Sequence, residues 1–414
     1  MSNNFPDVLS EMDGGATKPG GGGQTHRLKV TVCDPVKQDQ GMNAYITYKV
    51  NTSTDRPDFQ YSQFSVIRRY KDFVWLHERL GEEFPGIIMP PLPEKMVMGR
   101  FDTEFIEKRR KELERFLNRL ATHEELSGSG YFRTFLQADD AGLADTKESE
   151  KVTRRQKSGA GLLKWFDERA TIIKTHVRRR RRAGLREAPK SPADLRFEEV
   201  SAYVANLDVQ MQNVAKHASA LVRKEEQLAA TLFDFGIAFT MLANAEEKKA
   251  PLGQALMQMG HAADGVSSTV RNQSLKEADL FESPMLEYVK IVGALKVALQ
   301  KRNEKKTSYL AAAHDLEAKR AAHSKLVGVA GKEAVLQQHE AASQAAVDAL
   351  EEAKADYEKV SERVIREFRR FKMEKAADMK KIILDYVNIQ VAFTQKAPET
   401  WQALIPQIEA MELE

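Results

Sequence analysis

Residues 197–242 read FEEVSAYVANLDVQMQNVAKHASALVRKEEQLAATLFDFGIAFTML. Within this stretch Phe197, Val200, Val204, Leu207, Met211, Val214, Ala218, Leu221, Glu225, Leu228, Leu232, Phe235, Phe239 and Leu242 follow at alternating spacings of three and four. Thirteen of these 14 positions are apolar or alanine. Such spacing makes a heptad seam, which is stable only when another helix covers it.

Downstream, a break near Ala250–Pro251 opens a second helical region that runs to about Val327, with Ser283-Pro284 predicting a kink. Gly328 and Gly331 mark a turn. A third helix is expected from about Lys332 to about Lys396, and at 1.5 Å per residue it would span roughly 100 Å. Residues 194–412 therefore read as an all-α, elongated three-helix coiled coil, expected to be dimeric.

Upstream lies an uneven charge distribution. The whole chain of 414 residues carries a formal net charge of +3, yet Lys151–Lys190 holds 14 Lys and Arg against three acids, a net of +11, leaving −8 for the rest. A local excess of that size implies an anionic partner surface. Inside this linker (139–193), Leu162, Leu163, Trp165, Phe166, Ile172 and Ile173 share one half of a helical wheel. Such a helix suits the membrane interface, although packing on a neighbouring domain explains the same pattern. Arg178, Arg179, Arg180, Arg181 and Arg182 follow directly. No aromatic stacking platform or groove-reading helix surrounds them, so they are assigned to anionic lipid and no nucleic acid is expected.

The first 24 residues are acidic and then Gly-rich, and are expected to form a disordered tail without a signal peptide. Residues 25–138 read as an α+β unit. Arg27–Val32, Ala44–Val50 and Phe59–Ile67 predict a three-stranded meander, followed by helices interrupted at Pro85, Pro90, Pro91 and Pro93. Three short motifs fall on this scaffold. Arg68-Arg69-Tyr70-Lys71-Asp72-Phe73 lies at a strand-to-helix junction, Met89-Pro90-Pro91-Leu92-Pro93-Glu94-Lys95 in the Pro-rich segment, and Phe105-Ile106-Glu107-Lys108-Arg109-Arg110 within a helix.

In this order the three motifs resemble a phox-homology (PX) domain. The helical half resembles a BAR domain, so that the chain is similar to the retromer-associated sorting nexins, sorting nexins 1 and 2 in particular. The resemblance assigns Arg69 to the 3-phosphate of phosphatidylinositol 3-phosphate, where a planar bidentate donor is needed. It lays Tyr70 against the inositol ring, sends Lys95 to the 1-phosphate and gives Arg109 the 4- and 5-hydroxyls. Read alone, Tyr70 is equally a core aromatic, and Arg68 with Asp72 reads as a structural ion pair. Met96, Val97 and Met98 are expected to enter the bilayer beside the headgroup, or else to cap the domain core. On the helical half, Arg363, Arg366, Arg369, Arg370, Lys380 and Lys381 form a basic stripe, with Lys319, Arg320, Lys325 and Lys332 at the tip. A charge run on a long helix is ordinarily a solvated face. The resemblance instead aims these residues at lipid phosphates. The linker segment beginning Ser158-Gly159-Ala160-Gly161 looks like the amphipathic helix of the same family, whereas Val177–Ala193 departs from it.

Other classes find little support. The nine histidines have no metal-ligand spacing, and one cysteine, Cys33, allows neither an internal disulfide nor a Cys-based zinc site. No nucleophile elbow or phosphate loop is present, and no unbroken apolar run approaches the roughly 18 residues of a membrane span. The expectation is therefore a non-enzymatic protein of the cytoplasm with no metal and no cofactor, peripheral on early endosomes. It would form a homodimer, or a heterodimer with a related sorting nexin, and bind retromer cargo-recognition subunits. A coiled-coil scaffold or tether, addressed by its PX domain without bending membrane, is the competing reading.

Overall fold

The structure is a computed structural model and describes residues 27–39, 44–95, 101–157, 192–246, 251–327 and 332–410. The expected tail, Met96–Met98, the linker helix from Leu162 to Ile173 and the Arg178–Arg182 run lie outside the described residues.

The N-terminal domain opens with β1 (Leu28–Gln38), β2 (Tyr45–Thr54) and β3 (Gln63–Arg69), paired antiparallel in that order. All three strands run further toward the C-terminus than their alternation predicts, because hydrogen bonding continues past the last apolar position. A bulge between Cys33 and Val36 bends β1, with Asp34 at a positive φ of 49°, a conformation that aspartate tolerates better than most residues. The helices are α1 (Tyr70–Glu83), α2 (Thr103–Thr122), a single 3₁₀ turn (Leu126–Gly128), α3 (Gly130–Gln137) and α4 (Asp140–Lys157). Apolar side chains of the sheet meet α1, α2 and α3 in one core containing Tyr48, Phe73, Leu76, Phe116, Phe132 and Phe135. Helix α2 covers the edge of β1 with polar side chains. Asn118 Oδ1 accepts from the Val30 amide at 3.2 Å while its Nδ2 donates to the Val30 carbonyl at 2.7 Å, and Glu114 accepts from the Val32 amide at 2.9 Å. An edge strand so covered is closed to pairing with another chain.

The start of the linker expected at 139–193 is helix α4, and it packs back on α1. Trp75 Nε1 donates to Glu150 at 3.0 Å, and Lys147 Nζ donates to Asp72 at 2.5 Å. The packing of the first domain thus runs on past Ala138. Arg68 and Asp72 are both structural, but with different partners. Arg68 is buried and donates to the carbonyls of Phe135 and Ala138 and to Asp140, whereas Asp72 takes Lys147 and the Arg69 amide.

The helical half consists of α5 (Pro192–Ala245), α6 (Pro251–Glu277), a π-helical turn (Ala278–Glu282), α7 (Ser283–Ser324) and α8 (Glu333–Glu409). The kink predicted at Ser283-Pro284 takes the form of that π turn. Proline 284 cannot donate backward, and the wider turn accommodates its ring. Helix α8 runs well beyond the expected end at about Lys396, through Pro398 and Pro406.

The chain divides into two compact units. The first takes in the N-terminal domain, α5 up to Ala202, α7 from Ala294 and α8 up to Arg366. Its helical part is tied by Arg302, which is buried. The guanidinium stands 3.9 Å from the Phe197 ring centroid and donates to Asp194 at 3.0 Å and to the Tyr357 hydroxyl at 2.6 Å. Asp194 sits in the first turn of α5 with its carboxylate shared between Arg302 and Lys306. The second unit holds Tyr203–Gly293 and the chain from Glu367 onward. There α5 and α6 approach through glycine. A Cβ on Gly236 would stand 2.9 Å from the Gly260 carbonyl oxygen, so the crossing admits no larger residue at either position.

The fourteen-position seam of α5 separates into two stripes. Phe197, Val204, Met211 and Ala218 are buried within the chain, while Val214, Leu228, Phe235 and Leu242 are exposed. These last four share one heptad position, so one stripe is covered by the chain's own helices and the other stands open. Helix α5 is also long and apolar enough to cross a membrane, by length and composition alone. Polar residues interspersed along the helix, Asp234 among them, keep any unbroken apolar run short.

Candidate functional site

Arg69 ends β3 and Tyr70 begins α1, so the strand-to-helix junction fixes both side chains. The Arg69 amide donates to Asp72 Oδ2 at 2.8 Å, closing the first turn of α1. The Arg69 guanidinium remains half exposed, with Nε 3.6 Å from Asp72 Oδ1 and the guanidinium carbon 5.9 Å from the Tyr45 ring centroid.

Tyr70 is partly buried against the domain core, and its hydroxyl donates to the Pro93 carbonyl at 2.6 Å. Burial pushes this phenol above its ordinary range, with Arg109 opposing the shift. Tyr70 is thus part core residue and part site residue. Its bond reaches the Pro-rich segment, where the following residue, Glu94, accepts from Arg109 Nη2 at 2.9 Å. Lys95 comes next and is exposed.

Arg109, on the second turn of α2, is buried between two rings, 4.5 Å from the Tyr70 centroid and 4.3 Å from that of Phe105. Its Nε has no hydrogen-bond partner of good geometry among the described residues, and the buried Tyr48 hydroxyl lies beside the guanidinium. Burial raises the Tyr48 phenol, and the neighbouring Arg109 opposes that rise. An unsatisfied buried guanidinium N–H is costly, and an oxygen acceptor brought by a ligand would relieve it.

The structure thereby gathers Arg69, Tyr70, Lys95 and Arg109 through a chain of contacts from β3 and α1, across the Pro-rich segment, to α2. The patch combines guanidinium and ammonium donors with the Tyr70 ring, over which Arg109 lies. That set is suited to a phosphorylated polyol. Sequence reading missed Phe105 as the second ring around Arg109, though the i,i+4 spacing of the two signals it.

The basic residues of the helical half do not form one face. Arg363 is buried and Arg366 is bound to Glu125 of the N-terminal domain. Arg370 pairs with Glu367 at 2.7 Å and Glu374 at 2.9 Å along its own helix. Arg369, Lys380 and Lys381 are exposed, as are Arg320, Lys325 and Lys332, while Lys319 pairs with Asp315 at 3.1 Å. The wheel places Arg363 beside the exposed arginines. It cannot show that another domain lands on that side. No group of three His, Cys, Asp or Glu side chains among the described residues is placed to hold a metal ion.

The family comparisons agree with this layout. A PX domain model matches residues 56–139, and the model described as Vps5 C terminal like matches residues 191–407. Sorting nexin 1 of Arabidopsis thaliana is 31% identical over 388 residues, covering 92% of this chain and 93% of that protein. Sorting nexin-2 of Homo sapiens is 29% identical over 94% of this chain and 74% of its own length. Among solved structures, the cryo-EM structure of the SNX-BAR Mvp1 tetramer aligns with a TM-score of 0.57 at 16% identity, covering 91% of this chain and 99% of that one, a likeness of fold. With both halves matched in order along nearly the whole chain, it belongs to the sorting nexins, membrane-associated sorting proteins in which a PX domain precedes a BAR-type helical domain.

Proposed function

We propose that this sorting nexin reads phosphatidylinositol 3-phosphate with Arg69, Tyr70, Lys95 and Arg109. In this reading it pairs through its long helices with a second copy or a related sorting nexin, and senses or imposes curvature during retromer-linked, endosome-to-Golgi sorting. It works from the cytoplasmic side of early endosomes, does no covalent chemistry and engages retromer cargo-recognition subunits. A headgroup-reading domain, extended by α4, and a curvature domain (194–412) divide these tasks.

The observation that carries the headgroup reading is the Arg109 guanidinium. It is held between Tyr70 and Phe105, tied to the Glu94 carbonyl beside Lys95, and keeps a buried Nε donor with no partner among the described residues. The open heptad stripe at Val214, Leu228, Phe235 and Leu242 supports pairing, since a helix with so exposed an apolar stripe gains by covering it. Two headgroup sites in one dimer would bind a membrane with avidity.

Co-sedimentation with liposomes of varied phosphoinositide and diameter tests the reading. Preference for the 3-phosphorylated lipid on small vesicles, with tubules forming from larger ones, is the expected result. Binding that ignores the headgroup would reject it, and headgroup-specific binding without tubulation would reduce the protein to an addressed tether.

A further inference from the structure

Two of the arginines that the sequence assigns to lipid are engaged elsewhere. Glu125, in the turn after α2, accepts from Arg363 Nη2 at 2.8 Å and Nε at 3.1 Å, and from Arg366 as well. The remaining arm of Arg363, Nη1, donates to the Pro85 carbonyl at 3.0 Å, and the guanidinium stands 5.7 Å from the Phe84 ring centroid. Arg363 is only 6% exposed and each of its three nitrogens donates within the protein, so a membrane phosphate could take it over only by displacing Glu125.

Beside this pair the two backbones nearly touch. Gly86 has φ of 91°, and a Cβ there would stand 2.9 Å from Val360 Cγ1 and 3.1 Å from Val364 Cγ2. Only glycine gives both the positive φ and the close approach. Phe84, Pro85 and Gly86 thus lie against α8 at one end of a segment whose other end, Pro93 to Lys95, holds Tyr70 and Arg109. Between the ends, Ile87, Ile88 and Met89 are buried, which makes the connection stiff.

We infer that Glu125, Arg363 and Arg366 are positioning residues, a clasp that fixes the PX domain on α8 and thereby sets the direction in which the Arg69–Lys95 patch faces. The inference rests on that patch being a headgroup site. Its physical logic is that two weak membrane contacts reinforce each other only when geometry lets both engage at once. A fixed PX domain keeps that geometry; a loosened one loses it while each contact stays intact. Breaking one partner of a buried pair also leaves the other charge unpaired, so single reversals should open the clasp fully.

The experiment uses the full chain carrying spin labels at Tyr61→Cys and Glu352→Cys, both exposed and both in the first unit, in a Cys33→Ser background. Glu125→Arg, the pair Arg363→Glu with Arg366→Glu, and all three together are compared, with Glu125→Gln as a milder opening that keeps the side-chain shape. Three readouts are taken: the label-to-label distance distribution, binding of soluble short-chain phosphatidylinositol 3-phosphate, and binding of vesicles containing that lipid. Glu125→Arg, the arginine pair and Glu125→Gln are expected to broaden the distances and weaken vesicle binding about tenfold, with soluble-lipid binding within about twofold of the parent. The triple reversal should restore narrow distances and vesicle binding together. Distances that stay narrow in Glu125→Gln and Glu125→Arg would overturn the clasp. Loss of vesicle binding in the arginine reversals that the triple variant does not restore would also overturn it, returning Arg363 and Arg366 to direct lipid contact. A parent chain that binds neither form of the lipid would defeat the headgroup reading instead, and the distance arm would then decide the clasp by itself.

Discussion

Arg109 lies over the ring of Tyr70 with its guanidinium carbon 4.5 Å from the ring centroid, so the two residues form one unit joining α1 to α2. Arg69, the neighbour of Tyr70, is half exposed and rests on looser contacts, Asp72 at 3.6 Å and the Tyr45 ring centroid at 5.9 Å. The two arginines of the site should therefore separate under mutation.

Arg69→Ala is expected to abolish preference for phosphatidylinositol 3-phosphate while shifting folding stability by no more than about 0.5 kcal/mol, as for other surface changes. Arg109→Ala should lose the same preference and also destabilise the domain by roughly 1–3 kcal/mol, since the Glu94 carbonyl and two ring faces lose their partner. Liposome flotation and urea denaturation of the same preparations check both halves. Equal headgroup binding by Arg69→Ala and the parent would refute the assignment.

The open stripe of α5 makes a second test. Leu228→Asp with Phe235→Asp places charge on two exposed apolar positions, so the chain should fold but stay monomeric. Leu232, one turn from Leu228, packs instead against the small cluster of Ala229, Val266 and Val270 within the chain. Leu232→Asp should accordingly cost several kcal/mol of stability in the chain itself. Light scattering reports the first effect and thermal unfolding the second. A Leu228/Phe235 double variant that keeps the parent's mass in solution would show that this stripe is not the pairing face.

The difference between these stripes shows what the sequence carries. Heptad spacing revealed that α5 needs a covering helix, because period is a property of one chain read along its length. It could not say which of the two heptad positions is covered by α6 or α8 and which faces outward, since both read as apolar. In the same way the motifs around Arg69, Lys95 and Arg109 were legible, each tied to a local backbone form. Glu125 and Arg363, 238 residues apart, leave no local trace of their pairing. Arg363 looks like any solvated arginine until another domain is placed on it.

The remaining exposed cations give a third prediction. Reversing Arg369, Lys380 and Lys381 to Glu should weaken binding to small anionic vesicles by up to about 1 kcal/mol per charge. Reversing Arg320, Lys325 and Lys332 should act likewise. The loss should shrink as salt rises, because exposed charges are screened beyond about 8–10 Å at physiological ionic strength. Sedimentation at two salt concentrations checks it, and losses that ignore salt would point to altered folding instead.

The last prediction concerns Glu225, the single non-apolar member of the fourteen-position seam. It faces Glu277, which is fully buried, and Gln273 bridges them, its Nε2 2.8 Å from Glu277 Oε1 and 3.4 Å from Glu225 Oε1. Gln390 Nε2 also donates to Glu277, at 2.5 Å, while one carboxyl oxygen of each glutamate has no partner among the described residues. Burial first, and the Glu277 carboxylate next, push the Glu225 carboxyl up from 4.5 to about 7, and the nearby Tyr386 phenol is raised by burial and by both glutamates. Because the folded pKa lies above the unfolded one, the folded chain holds a proton between about pH 4.5 and 7 that the unfolded chain releases. Stability from this site is therefore greatest at the acid end of that window, falls as pH climbs through it and levels off above. Glu225→Gln keeps the shape and removes the titration, so it should stabilise the chain at pH 8 and change little at pH 5. After allowance for solvent screening of a partly exposed carboxyl, the difference should be on the order of 1 kcal/mol. Urea midpoints of the parent and variant at the two pH values measure it. A variant that shifts the midpoint equally at both would mean that Glu225 is ionised in the folded chain throughout, and that Gln273 and Gln390 alone carry the pair.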